Sequence, residues 1–164
     1  MEKAFNIKCR ASGLRPNAVV LVATVRALKM HGGGPEVTPG KPLPSAYIES
    51  NVDLVDKGCA NMSKHIDNAR KHGVPVIVAI NKFATDSVEE LECVQRHALN
   101  AGAQDAIVCD HWAKGGAGAV DIANKLVEVC NTTKNDFHFL YDLEKSIEEK
   151  IRVSRVNQNW FIYC

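Results

Sequence analysis

An α/β fold, a parallel sheet with flanking helices, is what this sequence predicts, and three observations carry it. Two β-branched runs, residues 18–25 (Ala-Val-Val-Leu-Val-Ala-Thr-Val) and 74–80 (Val-Pro-Val-Ile-Val-Ala-Ile), have no polar face, as strands covered on both sides do. Apolar residues between and after them recur at steps of three and four, the period of a helix buried along one face. Strand, helix, strand, helix, strand, helix in alternation is the pattern of a parallel sheet with right-handed crossovers.

The elements follow in order. Residues 18–25 form the first strand. Val52, Val55, Cys59, Met62, Ile66 and Ala69 make one apolar stripe on a long helix, with Gly73 as its stop. The second strand is 74–80, with Pro75 near its start, where a missing N–H is tolerated. Ser87 and Glu90 form a capping box for a helix whose inner face is Val88, Leu91, Val94 and Ala98 and which ends at Gly102. Residues 105–109 are the third strand. A third helix runs from about Gly118, with Ile122, Ala123, Leu126, Val127 and Cys130 facing inward. Ser146 and Glu149 cap a last helix, and Ile147 and Ile151 begin its apolar stripe.

The 164 residues are 46% hydrophobic and 24% charged, the balance of one globular domain. A net charge of +1 argues against nucleic-acid binding through bulk charge. No apolar run approaches the roughly 20 residues of a membrane span. Met1 to Phe5 show no targeting pattern. The six cysteines form no C-x-x-C pair and are irregularly spaced, which predicts neither a zinc site nor a disulfide framework and suits a reducing compartment.

Ligands of open parallel sheets bind beyond the carboxyl ends of the strands, so three loops are the candidates. In residues 26–35, Arg26 and Lys29 are cation donors suited to an anion. Gly32, Gly33 and Gly34 let the backbone approach a ligand closely, or simply make a flexible entrance to the Pro-rich stretch 35–44. In residues 81–86, Asn81 and Asp86 can read a ring edge or shape the turn and cap the next helix, and Phe83 offers a stacking face. In residues 110–118, Trp112 precedes a glycine-rich turn and either stacks on a flat ligand or closes the core. Cys109, Asp110 and His111 are adjacent, point to different faces and do not make a metal site. His65 and His72 fall on the solvated face of the long helix.

Several segments, taken together, resemble the formate–tetrahydrofolate ligases. They are Val22-Ala23-Thr24-Val25-Arg26-Ala27-Leu28-Lys29-Met30-His31-Gly32-Gly33, the upstream Phe5-Asn6-Ile7-Lys8-Cys9-Arg10 with Ser12-Gly13-Leu14, then Asn81-x-Phe83-x-Thr85-Asp86, His111-Trp112-Ala113-Lys114-Gly115-Gly116-x-Gly118, Phe137-x-Phe139-Leu140-Tyr141-Asp142 and Lys150-Ile151-Arg152. The three glycines and Pro-rich loop are similar to the eukaryotic C1-tetrahydrofolate synthase type of that family. The resemblance implies a partial P-loop NTPase-like synthetase fold. It implies an enzyme of one-carbon metabolism that joins formate to tetrahydrofolate at N10, using ATP with Mg, through formyl phosphate. It implies no tightly bound cofactor and no metal site. It places the folate ring between the positions of Phe83 and Trp112. Bacterial members have Pro where this chain has Ala84.

The Walker A pattern G-x-x-x-x-G-K-[ST] of the family occurs nowhere in this chain. Residues 1–153 are therefore expected to be a central piece of a synthetase domain. Residues 154–164, ending Trp160-Phe161-Ile162-Tyr163-Cys164, match nothing in the family and are expected to be a disordered tail. The alternative is a catalytically inactive fragment that at most binds folate or a partner. The parent enzyme is expected to be a cytoplasmic homo-oligomer without nucleic-acid or membrane partners, or a mitochondrial one if a transit peptide once preceded the chain.

Overall fold

The computed structural model describes residues 3–38 and 40–158, with side chains through Arg155. Its centre is a three-stranded parallel sheet in the order β1-β2-β3, formed by Val19–Ala23, Val76–Asn81 and Asp105–Cys109. Val19 pairs with Val76 and Ala23 with Ile80, while Ile77 pairs with Asp105 and Asn81 with Cys109. The parallel α/β architecture is thus the expected one. Val76, Ile77, Val78 and Ile80 on the central strand are fully buried, and each such side chain contributes about 1.5–3 kcal/mol.

The N-terminal segment is a π-helical turn, Lys3–Cys9, running into the short α1, Arg10–Ser12. The main helices are α2 (Val25–His31), α3 (Val52–Arg70), α4 (Val88–Asn100), α6 (Val120–Thr132) and α7 (Ile147–Gln158), with the single turn α5 at His111–Lys114. Val55, Cys59, Met62, Ile66 and Ala69 of α3 are buried along the expected stripe. Helix α4 starts at the expected capping box, with Ser87 Oγ accepting from the Glu90 N–H and the Glu90 carboxylate accepting from the Ser87 N–H. Ser146 and Glu149 make the same reciprocal pair before α7. That helix runs on to Gln158, beyond Arg155, where the apolar pattern ends. The remaining tail residues, 159–164, lie outside the described residues.

Five expectations are corrected: Val88, expected on the inner face of α4, is 62% exposed at its first turn, and four more follow. First, the initial strand ends at Ala23. Thr24 turns the chain, its Oγ1 accepting from the Ala27 N–H at 3.1 Å, and residues 25–31 are helix rather than loop. Second, β1 is not covered on both faces, because Val20 and Val22 are 40% and 64% exposed. Among the described residues, one sheet face meets α3 and α4, whereas the other meets only α6 near β3. Third, on α6 the stripe at the sheet is Ile122, Leu126 and Val129, while Ala123, Val127 and Cys130 are exposed. Ile122 and Leu126 thus face the sheet as expected, and Val129 takes the inner place expected for Val127 and Cys130. Fourth, His72 is fully buried, not solvated. Its ring lies 4.6 Å from that of Phe5 and stacks against Phe137.

Gly32 and Gly58 let α2 and α3 cross closely. A Cβ on Gly32 would sit 1.9 Å from the Leu54 carbonyl oxygen, and one on Gly58 would sit 1.8 Å from that of Leu28. Neither obstacle is a flexible side chain, so the helices themselves must part. Gly32→Ala and Gly58→Ala are each expected to destabilise the chain by about 1–3 kcal/mol, as overpacking does. Gly33→Ala, with open space at that position, brings only the strain of its φ of +99°. Chemical denaturation of the three variants checks the ranking.

Candidate functional site

Because all three strands are parallel and in register, Ala23, Asn81 and Cys109 end at one edge of the sheet. The segments leaving that edge carry the candidate residues. Phe83 follows β2 by one short turn, and Asp86 closes that turn. The Phe83 N–H donates to Asp86 Oδ2 at 2.8 Å, and the Asp86 N–H donates to the Phe83 carbonyl at 3.1 Å. Burial pushes the Asp86 carboxyl up from its ordinary value, and the nearby Glu90 adds to this, against the Phe83 N–H and the charges of Lys29 and Arg26. Asp86 thus shapes the turn, and Ser87, not Asp86, caps the helix.

Arg26 reaches across from the first turn of α2. Its guanidinium lies 4.8 Å from the centroid of the Phe83 ring, a cation–π distance. Arg26 Nε is buried without a hydrogen-bond partner among the described residues. Thr24, Arg26, Met30, Tyr47 and Phe83 wall a groove of about 270 Å³. Tyr47 is a residue the sequence reading missed. Its hydroxyl donates to the Pro35 carbonyl, which pins the Pro-rich segment as the groove's outer wall. The available signal was a lone aromatic residue in a polar, Pro-rich stretch.

Trp112 leaves the end of β3 on α5, and its side chain is 84% exposed. Asp110 precedes it and pairs with Lys114 at 2.5 Å. In the following glycine run, Gly118 is required sterically, since a Cβ there would meet Asp110 Oδ1 at 2.5 Å, whereas Gly115 and Gly116 face open space. Trp112 therefore does not close the core. It is presented at the edge where Phe83 also stands, with no ring contact between the two among the described residues.

The other candidates are dispersed. Asn81 lines a second groove of about 310 Å³, between the open sheet face and α6, with Val22, Cys109, His111 and Leu126. Its Oδ1 is buried without a partner among the described residues. Gly32 is committed to the helix crossing. Lys29 is 1% exposed and paired at 2.7 Å with Glu90, itself fully buried. Lys29 Nζ also donates to the Glu49 carbonyl, and Glu90 accepts from the backbone N–H groups of Asn51 and Ser87. Burial alone would raise the Glu90 carboxyl, but the Asn51 N–H, Lys29 and the Ser87 N–H outweigh it and hold it below its ordinary value.

Removing one member of a buried pair strands the other charge, at about 3–5 kcal/mol. Lys29→Met is therefore expected to lower stability by that amount, a large part of the roughly 5–15 kcal/mol a domain has. A carboxyl depressed in the folded state contributes stability above its unfolded value and loses it as pH falls through the folded one. The unaltered chain should thus lose stability on acidification in the window below the ordinary carboxylate range, and Lys29→Met should lose less there. Denaturation midpoints across that window test both statements.

The family model described as formate–tetrahydrofolate ligase matches residues 1–160. The cytoplasmic C-1-tetrahydrofolate synthase of Schizosaccharomyces pombe is 57% identical over 93% of this chain and 16% of its own length. The mitochondrial enzyme of the same yeast is 54% identical over 93% of this chain and 16% of its own. The cytoplasmic human enzyme is 56% identical over the same shares. The chain thus spans about one sixth of the length of these relatives.

Proposed function

Since the chain belongs to the formate–tetrahydrofolate ligase family, we propose that it is the part of such a ligase that holds the folate ring. The enzyme it serves joins formate to tetrahydrofolate at N10 with ATP and Mg as co-substrate. The observation that carries this reading is the placement of Phe83 and Trp112. Each follows the carboxyl end of a neighbouring parallel strand, and Trp112 is 84% exposed. Two aromatic faces at that edge suit a flat heteroaromatic ligand, for which stacking contributes about 1–3 kcal/mol per ring in comparable systems. Arg26, stacked on Phe83, fixes that ring and presents a cation to the ligand's carboxylate or to a phosphate. Asn81, with a buried unpartnered oxygen, faces the second groove and stays outside this platform.

The division of the chain into a ligase portion, 1–153, and a tail, 154–164, belongs to this same reading. So do a cytoplasmic parent, as in the first relatives, and a homo-oligomeric one. No helix among the described residues is long and apolar enough to cross a membrane. Formylation requires ATP, formate and folate to be held together, and the sequence contains no Walker A loop. The purified 164-residue chain is therefore a folate binder without ligase turnover.

Titration with tetrahydrofolate under anaerobic conditions tests the site, read by calorimetry. Phe83→Ala and Trp112→Ala are each expected to weaken binding by about 1–3 kcal/mol, roughly 5- to 150-fold. Unchanged affinity in both variants would remove the folate-platform role. Formation of 10-formyltetrahydrofolate by the purified chain, dependent on ATP and formate, would overturn the inactive reading.

A further inference from the structure

Away from the strand ends, α3 and α4 bring together a set of groups that the folate site does not use. Cys59 Sγ, Cys93 Sγ and a ring nitrogen of His97 lie within 4.8 Å of one another. Asp56 joins them: its Oδ1 is 2.8 Å from His97 Nε2 and 3.8 Å from Cys93 Sγ. Asp56 and Cys59 are three residues apart on α3, and Cys93 and His97 four apart on α4, so each pair shares one helix face. We propose that Cys59, Cys93, His97 and Asp56 form a binding site for a thiophilic divalent cation of the zinc class, clamping α3 to α4.

The donor set is two thiols, one imidazole and one carboxylate, which is the number and type zinc takes in a closed structural site. A tetrahedral shell with bonds of about 2.0–2.3 Å holds its ligand atoms about 3.3–3.8 Å apart, so closure needs only small side-chain movements. Cys59 and Cys93 are buried, while His97 and Asp56 stand at the rim, 28% and 52% exposed, which leaves an entry path. Among the described residues, the exposed Arg96 stands beside the site, at 3.4 Å from Asp56 and 3.6 Å from Cys93 Sγ. Binding replaces the two thiol protons, which leave to solvent, and His97 ligates as the neutral imidazole. No electron moves, and both cysteines are free thiols in the structure.

Spacing along the sequence gave no sign of this site, because its halves lie on different helices, 34 residues from Cys59 to Cys93. The test is titration of the whole chain, reduced and stripped by chelator, with Co²⁺. One equivalent should produce thiolate-to-metal charge-transfer absorption with tetrahedral ligand-field bands, and Zn²⁺ should displace it and raise the melting midpoint. His97→Ala and Asp56→Asn, both at partly exposed positions, should weaken binding by more than about tenfold, the least that loss of a supporting group costs a metal site. Cys93→Ala should remove most of the charge-transfer intensity. Cys130→Ala, an exposed thiol on another helix, should leave everything unchanged. Absence of the charge-transfer band at one equivalent would overturn the proposal. So would undiminished affinity in His97→Ala, or loss of the band in Cys130→Ala.

Discussion

The buried pair of Lys29 and Glu90 is the contact on which the arrangement of the strand-end loops depends. Lys29 comes from α2, which carries Arg26. Glu90 comes from the first turn of α4, whose start closes the Phe83 turn. The Glu90 carboxylate also holds the N–H groups of Asn51 and Ser87, the N-cap residues of α3 and α4. The Lys29 ammonium adds the Glu49 carbonyl. One ion pair thus fixes the starts of two helices and the body of a third. A charge pair taken wholly out of water is a poor source of stability compared with apolar packing. Its value here is geometric: no apolar pair of the same volume could satisfy two N–H groups and a carbonyl at once. Arg26 and Phe83 stack because both stand on elements that this pair anchors.

The same pair shows why part of the site was hidden in the sequence. Arg26 and Lys29 looked equivalent there, two cations in a glycine-rich stretch after a strand. They are three residues apart on a helix, so a single turn separates them, yet one stacks at the groove and the other is sealed in the core. That difference depends on Glu90, 61 positions from Lys29, and local pattern carries no information about it. Glu90 was legible as a capping residue, correctly, but one carboxylate has several lone pairs, and the second role needs the partner in space. The glycine triplet misled for a related reason. A missing Cβ signals a close approach, but not what approaches. For Gly32 it is the Leu54 carbonyl, not a ligand.

What was legible was the part of the fold set by local period and local chemistry. The fully apolar run at 76–80 became the buried central strand. The long helix and both capping boxes appeared where spacing placed them. The errors gather where tertiary contacts choose between equal local options. Thr24 is β-branched and extends the strand pattern, but its hydroxyl also makes a good N-cap, and capping prevailed. His72 sits just past the last turn of α3, where a helical-face reading no longer applies. Phe5 and Phe137 supply the apolar walls that enclose it. The motif Phe137-x-Phe139, noted only as a likeness, has a physical reason there: Phe139 stacks edge-on against Phe137 and takes the Arg10 guanidinium at 4.0 Å.

The open sheet face joins these observations to the site. Val20 and Val22 have the side chains of a doubly covered strand, yet one face of β1 is exposed. Asn81 lies at the carboxyl end of that same open face, because it pairs with Cys109 in register with Ala79 and Ile107. Its unpartnered buried oxygen therefore belongs to a groove that the described residues only half enclose. Phe83, two residues on, belongs to the other groove, closed by Tyr47 and the Pro-rich segment. The turn from Asn81 to Phe83 thus carries the chain from one side of the sheet edge to the other. Two neighbouring residues serve two grooves because strand alternation sends Asn81 to the open face before the turn begins. Of the two, only the Phe83 groove has an aromatic face with a stacked cation, which is what makes it the proposed seat of a flat ligand.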